Sequence, residues 1–166
     1  MERQLKESVQ DFVRRATGTR SQGNTVDIET LNQLNIRLQN ILPDWFIDLL
    51  SKYPIAGGEI DFPLYEPEDT NDGCITIEIA RPGDIFIETE ECYPGVAIKP
   101  LGYFCFGTDP TGGGNPFFIQ NNRGDNPPVF QVYHDISDEG EVIEKTGMTK
   151  LAESLSDFFD KARVVK

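Results

Sequence analysis

The stretch YFCFGTDPTGGGNPFFIQ, residues 103–120, holds two short runs of aromatic and β-branched residues around a break of Gly, Thr, Asp and Pro. Runs of that kind read as strands and breaks of that kind as turns. The same period of two extends upstream. Ile60, Phe62 and Leu64 alternate with polar residues or Pro63, Ile75, Ile77 and Ile79 alternate with Thr76 and Glu78, and Ile85 and Ile87 flank Phe86. Val96 to Leu101 and, downstream, Val129 to Tyr133 continue the series, so strands are expected over each.

Outside this region the apolar spacing is helical. Leu5, Val9, Phe12, Val13 and Ala16 fall on one face of a first helix. Residues 18–25 are polar with two glycines and read as a linker, which leaves open whether that helix packs on the domain or swings as an appendage. Asp27 is a candidate N-cap for a stretch carrying Ile28, Leu31, Leu34, Leu38 and Ile41. Pro43 suits the first turn of the next helix, whose apolar face is Trp45, Phe46, Leu49, Leu50 and Tyr53. A closing helix carries Leu151, Leu155, Phe158, Phe159 and Ala162, with Thr149 and Ser154 both eligible as caps. Short strands between Pro, Gly, Asn and Asp clusters argue for an antiparallel or mixed sheet, and helices, then strands, then a helix argue for a single α+β domain. Its expected divisions are a helix and linker at 1–22 and the main domain at 23–166.

Leu, Ile, Val and Phe make up 46 of the 166 residues, enough for a core. The formal net charge is −13. That field repels phosphate backbones and anionic membranes and draws in a basic protein, so nucleic acid and membrane are not expected as partners. The opening MERQLKESVQDFVRR lacks the apolar stretch of a secretion signal, and no run approaches the ~20 apolar residues of a membrane span. Cys74, Cys92 and Cys105 cannot all pair within one chain and form no CxxC, so reduced thiols and a cytoplasmic location are expected.

The motifs for chemistry fail one by one. Gly107 and Gly112 have P-loop spacing, but Gly113 and Gly114 stand where Lys and Ser/Thr are required. An EF-hand reading with Gly73 at the sharp turn puts Glu68, Thr70 and Asp72 at ligand positions but Ile79 where a bidentate Glu is needed. His134, the single histidine, has Asp135 and Asp138 near it but no identifiable nucleophile to activate. Arg123-Gly124-Asp125 lies in NNRGDNPP, which is turn chemistry. The chain has 28 Asp and Glu, so the mere presence of carboxylate pairs carries no information. No catalytic residue, metal or cofactor is therefore assigned.

Charge placement is more informative. Between Glu59 and Glu91 lie eleven acidic residues opposed only by Arg81. Glu66, Glu68, Asp69, Asp72, Asp84, Glu88, Glu90 and Glu91 are the candidates for an acidic protein-docking surface, with Phe62, Tyr65, Phe86 and Tyr93 as candidate anchors.

Four segments together resemble the SUKH superfamily, which takes in the Smi/Knr-type cell-wall regulators of fungi and many bacterial immunity proteins. They are LPDWFIDLLSKYPIAGG (42–58), FCFGTDPTGGGNPFFIQ (104–120), GDNPPVFQVYHD (124–135) and LAESLSDFFDKA (151–162). Pro43, Gly57, Gly58, Gly107, Asp109, Gly113 and His134 fall on the family pattern, mostly as turn makers. Departures are the extra N-terminal helix, Trp45-Phe46 where one aromatic would do, and Leu155 where the family often has Phe. The resemblance implies an α+β domain with a twisted, largely antiparallel sheet, helices at both ends and a non-enzymatic binding role. For a bacterial member that role is to neutralise a toxin, often a nuclease, whose phosphate-holding surface is basic. The alternative it implies is a regulatory scaffold docking onto a signalling or cell-wall partner, with the first helix (five basic residues against three acidic over 1–21) as its contact.

Overall fold

A computed structural model describes residues 1–64, 73–112 and 114–166. The chain is an α+β domain built on a seven-stranded sheet in which every pairing is antiparallel. The strands are β1 (Glu59–Pro63), β2 (Cys74–Ile79), β3 (Tyr103–Thr108), β4 (Phe117–Gln120), β5 (Val129–Val132), β6 (Met148–Ala152) and β7 (Arg163–Val164). Their order, β6-β5-β4-β3-β2-β1-β7, is a meander whose last strand returns beyond the first. That return is made by a helix, α7 (Leu155–Lys161). Ser154 caps it by accepting from Asp157 N, which decides between the two candidate caps, since Thr149 lies in β6.

Alternation along β3 sends Phe104 and Phe106 to one face of the sheet and Tyr103 and Cys105 to the other. On the first face Phe104 meets Phe46 of α3 (Asp44–Lys52), with ring centroids 4.9 Å apart. Phe158 of α7 stacks on Phe62 of β1 at 5.0 Å and meets Phe106 edge-on at 5.3 Å. Each of these rings is buried, and each such burial is worth roughly 1.5–3 kcal/mol. On the second face Tyr103 donates its hydroxyl to Glu144 of α6 (Gly140–Thr146) at 3.0 Å. Burial and that carboxylate push the Tyr103 phenol up to about 12.

The first helix, α1 (Arg3–Ala16), is no appendage. Leu5, Val9 and Phe12 are buried, and Phe12 packs on Phe159 of α7 at 5.4 Å. Arg15 donates to the carbonyls of Phe159 and Ala162, where a cation suits the C-terminal end of α7. The polar segment after α1 is also fixed. Ser21 is buried and accepts from Val165 N, and Asn24 bridges to Ala56. A side chain on Gly58 would meet the Ser21 carbonyl at 2.3 Å, so that glycine is set by the close approach of this segment. Polarity signals a linker, but the backbone here is paired, Arg20 N with Val165 O, Gly23 N with Pro54 O and Asn24 N with Ala56 O.

The second helix, α2 (Ile28–Arg37), starts at Asp27, whose carboxylate accepts from Thr30 N. Pro43 occupies the N-cap position of α3 rather than its first turn.

The largest departure from the sequence expectation lies at 82–101, where the residue pattern predicts strands over Ile85–Ile87 and Val96–Leu101. The chain instead forms α4 (Pro82–Phe86), a π-helical turn at Ile87–Glu91, α5 (Gly95–Ile98) and a 3-10 turn at Lys99–Leu101. Pro82 at the first helical position and Asp84, which accepts from Arg81 N, start this run. Its position answers a need of the sheet. β2 pairs with β3 only at its far end, Glu78–Ile79 with Gly107–Thr108. The open edge of β3 is met by Thr89, whose buried hydroxyl accepts from Cys105 N at 3.0 Å. A side chain thus stands in for a strand partner.

Candidate functional site

The helical run at 82–91 forms one wall of a concavity of about 310 Å³. Residues far apart in sequence meet there: Glu78 from β2, Asp84 from α4, Glu88 from the π turn, Thr108 and Asp109 after β3, Gly114, and His134 after β5. Four carboxylates therefore face one space. Glu78 is held by an ion pair to Arg81 at 2.5 Å. Gly57, at φ +78°, leaves room for that guanidinium, since a Cβ there would lie 2.6 Å from Arg81 Nε. Asp109 closes its own turn, accepting from Thr111 N and Oγ1 at 2.7 Å each.

Glu88 differs from the others. Its Oε2 is buried and has no hydrogen-bond partner among the described residues. Burial raises its pKa, Asp84 raises it further, and His134 works the other way. Its backbone is fixed from outside as well, because Gly95 packs against the Glu88 carbonyl so closely that a Cβ would overlap it. A widened π turn places the Glu88 side chain towards the concavity while Thr89 stays on the β3 edge and Glu90 faces away. π-helical insertions of this kind are frequent at functional sites.

His134 ties the rim together. Its backbone N donates to Asn115 Oδ1 at 3.1 Å. Its ring nitrogens lie 3.1 Å from the Tyr93 carbonyl and 3.2 Å from the Gly114 carbonyl. Carbonyl oxygens only accept, so a neutral ring makes one of these two bonds, from whichever nitrogen carries its proton. The ring is thus a cross-link between loops, with no hydroxyl or thiol nucleophile among its hydrogen-bond partners. Ile87 and Tyr93, adjacent to Glu88 and to this cross-link, are 44% and 49% exposed.

The acidic candidates among the described residues do not share one face. Asp84 and Glu88 line the concavity, Glu90 pairs with Lys99 on the other side of the π turn, and Glu91 is exposed to solvent. Glu66, Glu68, Asp69 and Asp72 lie outside the described residues, as do Tyr65 and Gly113. Glu59, from the same acidic stretch, is paired with Arg20. Among the candidate anchors, Phe62 is buried in the core and Phe86 lies under Arg37 at 3.8 Å, which leaves Tyr93 at the surface. Glu78 is not singled out by the sequence reading. The signal for it is its place at the end of β2, where the sheet delivers its last residues to the rim.

All three cysteines are free. Burial raises the Cys92 and Cys105 thiols, with nearby carboxylates adding to the effect, so both are held away from the reactive thiolate form. No helix among the described residues is long and apolar enough to cross a membrane.

Comparison with known proteins gives no match among curated proteins and none among solved structures. A family model does match, over residues 25–161, from the segment before α2 to the last residue of α7. That span contains the whole concavity and leaves out α1, and by it the chain belongs to the SMI1 / KNR4 family (SUKH-1).

Proposed function

We propose that this domain is a non-catalytic protein-binding module of the immunity type. In this reading it acts in the cytoplasm and neutralises a basic toxin of the nuclease class by covering the cationic surface with which that toxin holds phosphate. The observation that carries the reading is the convergence of Glu78, Asp84, Glu88 and Asp109 on one concavity. Partial burial strengthens a charge-assisted hydrogen bond from an incoming Arg or Lys, and the unpartnered Glu88 Oε2 offers such a donor an acceptor. Exposed Ile87 and Tyr93 supply apolar contact beside the charges. The net charge of −13 steers a basic partner towards the molecule before contact. Membership of the SUKH-1 family, whose relatives are commonly immunity proteins, favours binding over catalysis.

The test is a tagged pull-down from the source cell at about 50 mM and about 500 mM salt, a range over which exposed charges become screened. Mass spectrometry should find one basic protein, recovered less at the higher salt and poorly at either salt by the Asp84→Asn/Glu88→Gln variant. A partner held equally at both salts, and equally by that variant, would overturn the reading.

A further inference from the structure

His134 stands where two loops that border the acidic concavity come together. Its Nδ1 lies 3.1 Å from the carbonyl of Tyr93, just after the π turn, and its Nε2 lies 3.2 Å from the carbonyl of Gly114, between β3 and β4. Those carbonyls are 41 and 20 residues away in sequence, so the ring joins three separate parts of the chain. Its own segment is placed independently of the ring, because the His134 backbone N donates to Asn115 Oδ1. Each loop also carries backbone bonds of its own. Cys92 N donates to Ile87 O and Val96 N to Cys92 O in the first, and Gly112 N donates to Asp109 O in the second.

Both ring nitrogens face groups that can only accept. A neutral imidazole has one N–H and satisfies one carbonyl, whereas the imidazolium has two and satisfies both. The titratable groups around the ring are nearly all carboxylates. Glu78, Asp84, Glu88 and Asp109 line the concavity beside it, and Asp135 and Asp138 follow it on its own segment. Arg81 is committed to Glu78. At the Tyr93 end, Glu91 precedes Cys92, whose thiol is pushed up by burial and so stays neutral. No Lys or Arg lines the concavity among the described residues, so an imidazolium there faces opposite charge.

We propose that His134 is a proton-operated latch on the rim of the concavity: the charged ring pins the Tyr93 and Gly114 loops together, and the neutral ring releases one of them. The tautomer decides which loop is released. An unperturbed histidine changes charge between about pH 5 and pH 8, so mild conditions reach both rim states. The latch is a property of the chain by itself and does not depend on what the concavity binds.

The experiment is amide exchange by NMR on the full-length protein at about pH 5 and about pH 8, corrected for the intrinsic pH dependence of exchange. The reporters are the amides of Cys92 and Val96 on one loop and of Gly112 on the other. Protection of at least one loop should be about fivefold higher at the lower pH, roughly the worth of one hydrogen bond. The chain has a single histidine, so the ring signals recorded over the same series belong to His134, and protection should follow their change. His134→Gln, whose carboxamide donates without titrating, should lose the pH response. Glu88→Gln should keep it, which separates the ring from the neighbouring carboxyl. Equal protection at both pH values in the wild type would overturn the proposal. So would the same response in His134→Gln, or its loss in Glu88→Gln, either of which would assign the response to the carboxylates.

Discussion

At the scale of single residues, Glu88 carries a cost that the fold accepts. A half-buried carboxyl with a raised pKa binds its proton more tightly in the folded state than in the unfolded chain. Stability therefore falls as pH rises from the ordinary carboxyl range through the raised value, and stays at the lower level above it. Glu88→Gln keeps the shape and removes the charge. It should raise the thermal midpoint at pH 7, with the gain shrinking as pH falls through the raised value and gone below about 4, where both states of the wild type hold the proton. Midpoints measured across that range check this. A Gln variant less stable at pH 7 would mean that the carboxylate has a favourable partner, and a gain that does not depend on pH would mean that the charge is not its cause. Function retained against stability is the usual reason for such a residue.

Among the elements, the π turn is the one on which the concavity depends. Thr89 connects it to the sheet through the bond from Cys105 N. Thr89→Val is close to isosteric but leaves that buried N–H unpaired, so a loss of about 1–3 kcal/mol is expected, read by denaturant unfolding. A loss well under that would mean that the β3 edge finds another acceptor. The same element marks where the sequence is hardest to read. β1 and β2 are legible from their period of two, whereas β3 and β4, buried on both faces, are legible as short aromatic and β-branched runs bounded by turn residues. At 85–87 the alternation Ile85, Phe86, Ile87 imitates a strand, yet Ile85 is buried, Phe86 lies under Arg37 and Ile87 is exposed, a helical distribution. The Pro82 and Asp84 start signals are present, but β-branched content masks them. Helix α6 leaves no period, since Ile143 is its single buried residue. Helix α1 is visible as a helix, but its docking is not, because its partner Phe159 lies at the other end of the chain and its linker is polar. Truncation at residue 22 would therefore strip Leu5, Val9 and Phe12 from the core. A scaffold role for α1 is better probed at exposed Lys6 and Arg14.

Over the whole molecule, the net charge is plain in the composition, but its working distribution is not. Summing charge along the chain picks out residues 59–91, whereas among the described residues the concavity takes Glu78, Asp84 and Glu88 from that stretch and adds Asp109 from beyond it. Sheet topology makes the selection. β2, β3 and β5 all deliver their ends to one rim, which no local window can report. The docking account rests on that convergence, and the association rate tests it most directly. The basic partner from the pull-down would be mixed by stopped flow with wild type and with Asp84→Asn/Glu88→Gln, across ionic strength. The carboxamide that replaces the Asp84 carboxylate keeps an oxygen to accept from Arg81 N, so helix α4 retains its start. The account predicts that the wild-type rate falls steeply with salt, that the variant is slower by about tenfold at low salt, and that the two converge at high salt. Equal rates for the two proteins at every ionic strength would contradict it.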